Sequence, residues 1–529
     1  MSCGDIPDGL ATEEQGEALM PRKKKIQRFD KSLCQKCRES KSMYIIRNVT
    51  YCKPCFEYSL FTRFIRTLHP ILKTEAALNL KEKDKKQSRI ALNQGGTRPD
   101  TTNGSILIGL SGGSSSISLL NMLIEREYIG KGDDKKIDRT KGEKQPVWNK
   151  GYIIHVDFSD LIDDSNSQDR SDILKQWVES KENELVWIGL KAYDVYDANL
   201  KNKIRKIVGL SEEKEFESSG IAVDLKNPDL PIFPIASSSS STSTPLDQLR
   251  SILATLPPAS RPSLLSSILN SLITVTSDII PNVSHVLLGE TSTRQAQRLI
   301  SGTALGKGYT LPLELAVTNK PYSKYTILKP MKDITIKEVS IYTHLKGLNS
   351  IVRNDRKWDY SGPISKKDSR GKDHTRSLES LTEQFIANLG VTHPATVSTI
   401  NRTGDKLTFT GEKQKGISCP VCQMPVDPNA LEWKSRTALT SLPSKANVET
   451  VVSEIDQGLD EGKQGRLATL LCYACLTTFT PPTVVSKVIR EEATPVQLPI
   501  WVEQNLNGRH EMGRNEMRDE IKDFLISEE

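Results

Sequence analysis

One stretch, SILIGLSGGSSSISLLNMLIE from Ser105 to Glu125, constrains this chain more than any other: an apolar strand enters a glycine and hydroxyl turn and leaves as an apolar helix. Ile106, Leu107, Ile108 and Leu110 read as a short buried strand, while Ile117, Leu119, Leu120, Met122, Leu123 and Ile124 are too densely apolar for anything but a buried helix. Between them lie Ser111, Gly112, Gly113, Ser114, Ser115 and Ser116. The two glycines let the backbone bend and approach a ligand, and the helix start offers unpaired N–H groups and a positive dipole end to an anion such as phosphate. The serines add hydroxyl donors.

Several chemistries share that outline. A Walker P-loop needs a Lys directly before its closing hydroxyl residue, and none is present. Gly109, Ser111 and Gly113 spell G-x-S-x-G, the nucleophile elbow of α/β-hydrolases, but no second motif places a His or an acid beside it. A third reading is the S-G-G-x-(D/S)-S loop of enzymes that adenylate a carbonyl oxygen, and the stretch resembles the loop of ATP-dependent tRNA thiolases. The Asp of the active loops is Ser115 here, which removes a carboxylate from the nucleotide position. A glycine turn that merely closes a strand-helix corner stays open beside these.

With 529 residues the chain has room for two or three domains. Its 27 prolines and its Ser and Lys runs point to long surface insertions, so the core is smaller than the length implies. Lys and Arg total 72 against 66 Asp and Glu, a formal +6, which is compatible with nucleic acid without demanding it. The N-terminus has no basic start and apolar core of a leader, and nowhere do eighteen uninterrupted apolar residues occur, so a soluble, cytoplasmic protein with no membrane partner is expected. Eight of the nine cysteines form four C-x-x-C pairs, which in such a compartment is metal-ligand spacing; Cys3 stands alone.

Taken in order, residues 1–29 are a polar tail with the basic run Arg22 to Lys25. Cys34, Cys37, Cys52 and Cys55 fit a four-thiolate zinc site in a module (30–72) too small for a core of its own, with disulfides as the alternative. Phe56 to Leu72 has helical spacing, with Arg63 and Arg66 on a solvated face, and 73–104 is a charged linker. Residues 105–412 form an α/β domain. Its strands begin at Ile106, Tyr152, Leu185 and Val286, with helices at 171–181, 246–256 and 264–276 and irregular insertions at 130–150, 211–244 and 353–377. The turn after the fourth strand reads Gly289, Glu290, Thr291, Ser292, Thr293, Arg294, and a segment Lys329, Pro330, Met331, Lys332, Asp333 follows a later strand. Lys329, Lys332, Lys366, Lys367 and Arg370, with Lys372 and Arg376, are the RNA-contact candidates, set against ordinary solvated lysines. Cys419, Cys422, Cys472 and Cys475 form a second four-cysteine module (413–480) with an insertion from Trp433 to Gln464, and 481–529 reads as a polar tail.

The order of these features resembles the cytoplasmic tRNA 2-thiolation protein 2 family: a zinc module, the hydroxyl-rich S-G-G loop, LLGETSTRQAQRLISG, LKPMKD and C-P-x-C…C-x-x-C. The resemblance implies a parallel-sheet, PP-loop ATP pyrophosphatase domain of the adenine-nucleotide alpha-hydrolase type, flanked by two zinc modules. It implies a subunit that acts with cytoplasmic tRNA 2-thiolation protein 1 to place a 2-thio group on the wobble uridine of lysine, glutamate and glutamine tRNAs. Sulfur would come from a thiocarboxylated ubiquitin-related modifier. Pyrophosphatase enzymes carry a G-H-N-x-D-D turn where this chain has Gly289 to Arg294, so both acids are missing. Active thiolases also hold cysteines inside the nucleotide domain, as cluster ligands or nucleophiles, whereas this chain has none between Cys55 and Cys419. A non-catalytic partner that stabilises the paralogue and extends the tRNA surface is therefore expected, with a degenerate nucleotide loop (Ser111 to Ser116, Gly289) that puts ATP binding in doubt. An active adenylating enzyme and a zinc-ribbon RNA-binding scaffold outside thiolation are the alternatives.

Overall fold

The computed structural model describes residues 32–79, 104–131, 146–161, 169–213, 220–227, 229–235, 244–257, 259–319, 325–352, 377–409, 418–427, 430–437, 466–480 and 495–506. Two compact units divide between Ser59 and Leu60. In the first, strands β1 (Tyr44–Ile46) and β2 (Val49–Tyr51) form a hairpin with Tyr44 opposite Tyr51. Tyr44 packs on Phe56 with ring centres 5.6 Å apart. Beyond Ile46 and Phe56, its buried side chains include Cys34 and Cys52, so sulfur takes the place of an apolar core. The helix Lys53–Asn79 begins in this unit. Further along it, Leu60, Phe64, Leu68 and Leu72 recur at four-residue spacing and are fully buried, as one face of a core-facing helix requires.

The second unit contains β3 (Ser105–Gly109), β4 (Lys150–Asp157), β5 (Leu185–Lys191), β6 (Ile221–Val223), β7 (Ile232–Pro234), β8 (Val283–Leu287), β9 (Thr318–Asn319), β10 (Thr326–Leu328) and β11 (Val496–Gln497). Its main sheet has the order β5-β4-β3-β8-β10-β9. All neighbours are parallel except β9, which closes the edge antiparallel to β10. Leu107 lies opposite both Tyr152 and Val286, and the run Tyr152, Ile153, Ile154 is buried, as strands covered on both faces must be. The parallel α/β architecture expected from the sequence is the one observed. The chain runs outward from β3 through β4 and β5, then returns to the other side of β3 as β8. That reversal makes the carboxyl ends of β3 and β8 the switch point, where an open α/β sheet leaves a crevice for ligands.

The helix Ser114–Glu125 buries Ile117, Leu119, Leu120, Met122 and Leu123 at full depth. At roughly 1.5–3 kcal/mol per side chain, this is one of the firm anchors of the loop that precedes it. Its Asn121 Nδ2 donates to Tyr342 Oη at 2.8 Å on the helix Ile336–Leu345. That helix opens with a Thr335–Glu338 capping box, and Glu338, with no exposed surface, is ion-paired to Arg63 at 2.5 Å. Arg63 therefore serves the interior rather than the solvated face expected of it.

Other segments are more ordered than their composition implies. The end of the charged 130–150 stretch belongs to the core: Trp148 is fully buried and donates from Nε1 to His285 Nδ1 at 3.2 Å. Within 211–244, β6 and β7 pair antiparallel and are extended by β11 from the expected tail. There Leu498, Trp501 and Val502 are buried, residues 500–506 are helical, and Trp501 Nε1 donates to Val421 O at 3.1 Å. The C-terminal cysteines are not set apart either: Cys419, Cys472 and Cys475 share one apolar cluster with Leu107, Ile154 and Trp501. Pro262 lies in the first turn of the helix Arg261–Ile279, which therefore starts earlier than position 264, and a missing N–H costs nothing there. Among the described residues no helix is long and apolar enough to cross a membrane. The basic run at 22–25, the serine run before Thr244 and most of the insertion after Trp433 lie outside the described residues.

Candidate functional site

At the switch point the loop after β3 turns through Gly112, whose φ of 79° suits glycine. The helix Ser114–Glu125 then starts from Gly113 with no side-chain cap. Ser111 Oγ and Ser116 Oγ lie 3.2 Å apart, and Ser116 Oγ donates to Gly113 O at 3.1 Å. A glycine cap offers the first-turn N–H groups no side-chain acceptor, so they face outward toward solvent or an anion. His155 on β4 holds the base of the loop, its Nδ1 2.7 Å from Leu110 O.

Gly289, at the end of β8, meets this loop backbone to backbone: a Cβ there would stand 3.0 Å from the carbonyl carbon and oxygen of Ser115 and from the Cα of Ser116. The structure thus brings together Ser111 to Ser116 and Gly289, which are distant in sequence. Past Gly289 the side chains turn to structural work. Thr291 Oγ1 caps the helix Ser292–Ala304, Thr293 Oγ1 accepts from Ile336 N at 3.2 Å, and Arg294 Nη1 donates to Gln297 Oε1 at 3.0 Å.

Glu290 forms the centre of a buried ion cluster. It pairs with Arg298 at 2.7 Å and with Lys329 at 3.1 Å, and Arg298 reaches Glu314 at 3.9 Å. Burial alone would push the Glu290 carboxyl up, but Arg298 and Lys329 outweigh it and hold it down at about 2. This corrects the reading of Lys329: it is 4% exposed, paired with Glu290 and bonded to the Glu314 carbonyl, so it presents no ammonium to an RNA. Lys332 is half-buried and pairs with Asp405. Lys366, Lys367, Arg370, Lys372 and Arg376 lie outside the described residues. The cluster itself was not foreseen from sequence, because Glu290, Glu314 and Lys329 come from separate elements. A second group stands at the ends of β4 and β5, where Lys191 Nζ lies 2.8 Å from both Asp157 and Asp169 and 3.3 Å from Asp160.

The two four-cysteine groups are built alike. In each, the first pair sits in a knuckle closed by an antiparallel bridge, Leu33 to Lys41 and Ser418 to Pro425. The residue after the second cysteine is left-handed, Arg38 at 61° and Gln423 at 58°. The second pair brackets the first turn of a helix, with Phe56 N bonded to Cys52 O and Leu476 N to Cys472 O. All four sulfurs in each group lie within 4.8 Å of one another. A tetrahedral ion with bonds of about 2.3 Å places its sulfurs roughly 3.8 Å apart. Cys37 and Cys52 are 3.8 Å apart and Cys422 and Cys472 3.6 Å, so either group could hold one such ion. A multi-iron cube, with one thiolate on each iron, would spread them further.

The protonation pattern agrees. Burial opposes ionisation of Cys34, but backbone hydrogen bonds from Cys37, Cys52 and Lys36 outweigh it and hold the thiol at about 6, while burial and its sulfur neighbours push Cys55 up to about 12. Cys419 is likewise held well below the usual thiol range, its burial outweighed by hydrogen bonds from Cys422, Cys472 and Cys475, and Cys422 and Cys475 are driven well above it. Sulfurs this close share negative charge badly until a cation joins them.

Residues 377–477 match the family model described as cytoplasmic tRNA 2-thiolation protein 2. They span the helix Leu378–Thr392 and all four C-terminal cysteines, and end inside the helix Tyr473–Phe479. The chain is similar to this family, over that segment and over the stretches its relatives share. The family's Xenopus laevis protein 2-A is 27% identical over 276 residues, 46% of this chain and 49% of that protein. The Danio rerio protein is 26% identical over 275 residues, 46% of this chain and 50% of that protein. The Drosophila simulans protein is 30% identical over 198 residues, 36% of this chain and 45% of that protein. The chain thus spans about half the length of the curated family relatives it matches. Among solved structures, the U34-tRNA thiolase NcsA from Methanococcus maripaludis with its 4Fe-4S cluster aligns over 78% of this chain and 98% of that one, at 14% identity and a TM-score of 0.43.

Proposed function

We propose that this chain is a cytoplasmic subunit required for 2-thiolation of the wobble uridine in lysine, glutamate and glutamine tRNAs. It pairs with a catalytic thiolase paralogue that takes sulfur from a thiocarboxylated ubiquitin-related modifier. The family match carries the assignment to tRNA thiolation. The reading of a non-catalytic role is supported most by the turn after β8. Its one acid, Glu290, is consumed by Arg298 and Lys329, and Thr293 and Arg294 serve neighbouring backbone and side chain. A carboxylate flanked by two buried cations is already neutralised, which weakens its pull on a magnesium ion. The absence of any cysteine from 56 to 418 withholds the thiolate that sulfur transfer needs.

Zinc is the metal we assign to both four-cysteine groups, on their single-ion spacing. When bound it would be held by Cys34, Cys37, Cys52 and Cys55 in one unit and by Cys419, Cys422, Cys472 and Cys475 in the other, and would supply structural cross-links rather than catalysis. The chain's own contribution is a surface for the paralogue and for tRNA.

Co-expression with the paralogue followed by affinity capture, and calorimetric titration of the purified complex and of this chain alone with ATP and magnesium, test the reading. A stable complex in which this chain alone takes up no ATP supports it. Tight ATP binding by this chain alone would instead revive an active adenylating enzyme, since Gly112 and the outward helix start keep the form of an anion loop. Failure to co-purify would favour an RNA-binding scaffold outside thiolation.

A further inference from the structure

The C-terminal cysteine group has a charged neighbour that its own sequence motif does not reveal. Lys307 lines one cavity with Cys422, Cys472 and Cys475, together with Glu314 and Thr310. Its backbone is fixed on both sides: Lys307 N donates to Gly302 O at 2.8 Å, and Lys307 O accepts from Leu311 N at 2.8 Å. Gly306 presses against the ring of Tyr473, the residue between Cys472 and Ala474. A Cβ on Gly306 would lie 2.4 Å from Tyr473 Cε1, and its φ of 77° already favours glycine. Glu314 lies 3.9 Å from the ammonium, and the side chain of Lys307 is 24% exposed.

Four thiolates on one divalent cation carry a net charge of −2. Here that charge would sit beside Cys419 at 0%, Cys472 at 4% and Cys475 at 6% exposure, where an uncompensated charge is costly. We propose that Lys307 is the outer-sphere cation of the C-terminal tetrathiolate centre, oriented by Glu314 and by the Gly306–Tyr473 contact. It offsets part of the centre's charge and slows metal loss. Glu314 also faces Arg298, which pairs with Glu290, so the same string of alternating charges leads from the metal centre to the turn after Gly289. The proposal rests on reading these cysteines as a metal centre.

The two centres in one chain provide an internal control. The full-length protein is loaded with zinc, its stoichiometry is measured, and release to a chromogenic chelator is followed, with each kinetic phase assigned through Cys55→Ser and Cys422→Ser chains. Lys307→Met should speed release from the C-terminal centre by about ten- to a hundredfold, the usual cost of losing an outer-shell partner, and leave the N-terminal phase unchanged. Lys307→Arg should restore the slow phase. Two zinc ions bound with both phases unaltered by Lys307→Met would overturn the proposal, as would equal acceleration of both phases, which signals general loosening. Fewer than two zinc ions per chain would instead remove the metal reading and the proposal with it.

Discussion

Gly289 and Ser115 touch through their backbones, with 3.0 Å between the place of a Gly289 Cβ and the Ser115 carbonyl. Two turns that leave adjacent parallel strands are thus closed on one another, and the crevice between β3 and β8 is shaped by main chain rather than by side chains. The contact survives although the acids expected on both turns are gone, which separates the scaffold of the site from its chemistry.

Gly289→Ala should therefore be costly although Gly289 needs no left-handed backbone. Pushing a methyl into packed main chain forces local shifts worth about 1–3 kcal/mol, seen as a lower denaturation midpoint. Gly113→Ala is the contrast. Its φ is −76° and the nearest obstacle is Ser111 Oγ at an ordinary 3.5 Å, so it should stay within about 0.5 kcal/mol of wild type.

Glu290 makes stability depend on pH in a defined window. Its carboxyl is held at about 2 against an ordinary 4.5, so the stabilisation is complete above about pH 4.5 and is lost as pH falls toward 2, by roughly 3 kcal/mol. Glu290→Gln leaves Lys329 and Arg298 buried without their anion and should cost about 3–5 kcal/mol at pH 7. Urea denaturation at stepped pH should show the gap between wild type and variant narrowing below pH 4.5. A constant gap would mean that the carboxylate is not the source.

Trp501 tests whether residues 495–506 are part of the core. Trp501→Ala removes a buried indole and its hydrogen bond to Val421 O, and should cost about 3–5 kcal/mol. A polar tail would show no change in the same melt.

Metal removal should act first on the unit ending at Ser59. Its buried residues include Cys34 and Cys52 beside few apolar side chains, so chelation should abolish hydrogen-exchange protection across Tyr44–Tyr51. Protection that survives a chelator would show that the hairpin stands without metal.

The features legible in the sequence were local ones. Ile106 to Leu110, Gly112 and the apolar helix after it announce a strand, turn and helix within some twenty residues, and C-x-x-C spacing fixes ligands one turn apart. Features that depend on distant partners stayed hidden. Lys329 reads as a surface lysine because Glu290 and the Glu314 carbonyl, which bury it, lie 39 and 15 positions away, the differences between those residue numbers. Trp501 sits in a polar context, and β6 and β7 are too short to show a period until β11 is placed beside them. The helices Leu378–Thr392 and Pro394–Gly404 were missed because their buried set, Ile386 and Val397 packed with Ala296, is small.

The measurement that bears most directly on the proposed role is the mobility of lysine, glutamate and glutamine tRNAs on a mercury-containing gel, where sulfur retards thiolated tRNA. It compares cells that lack this chain with cells that carry it again, as wild type or as Ser115→Ala. The account predicts that the retarded bands vanish with the chain and return with both versions, since the loop serine performs no chemistry. Retarded bands that persist without the chain would contradict a role in thiolation, and rescue by wild type but not by Ser115→Ala would contradict a non-catalytic loop.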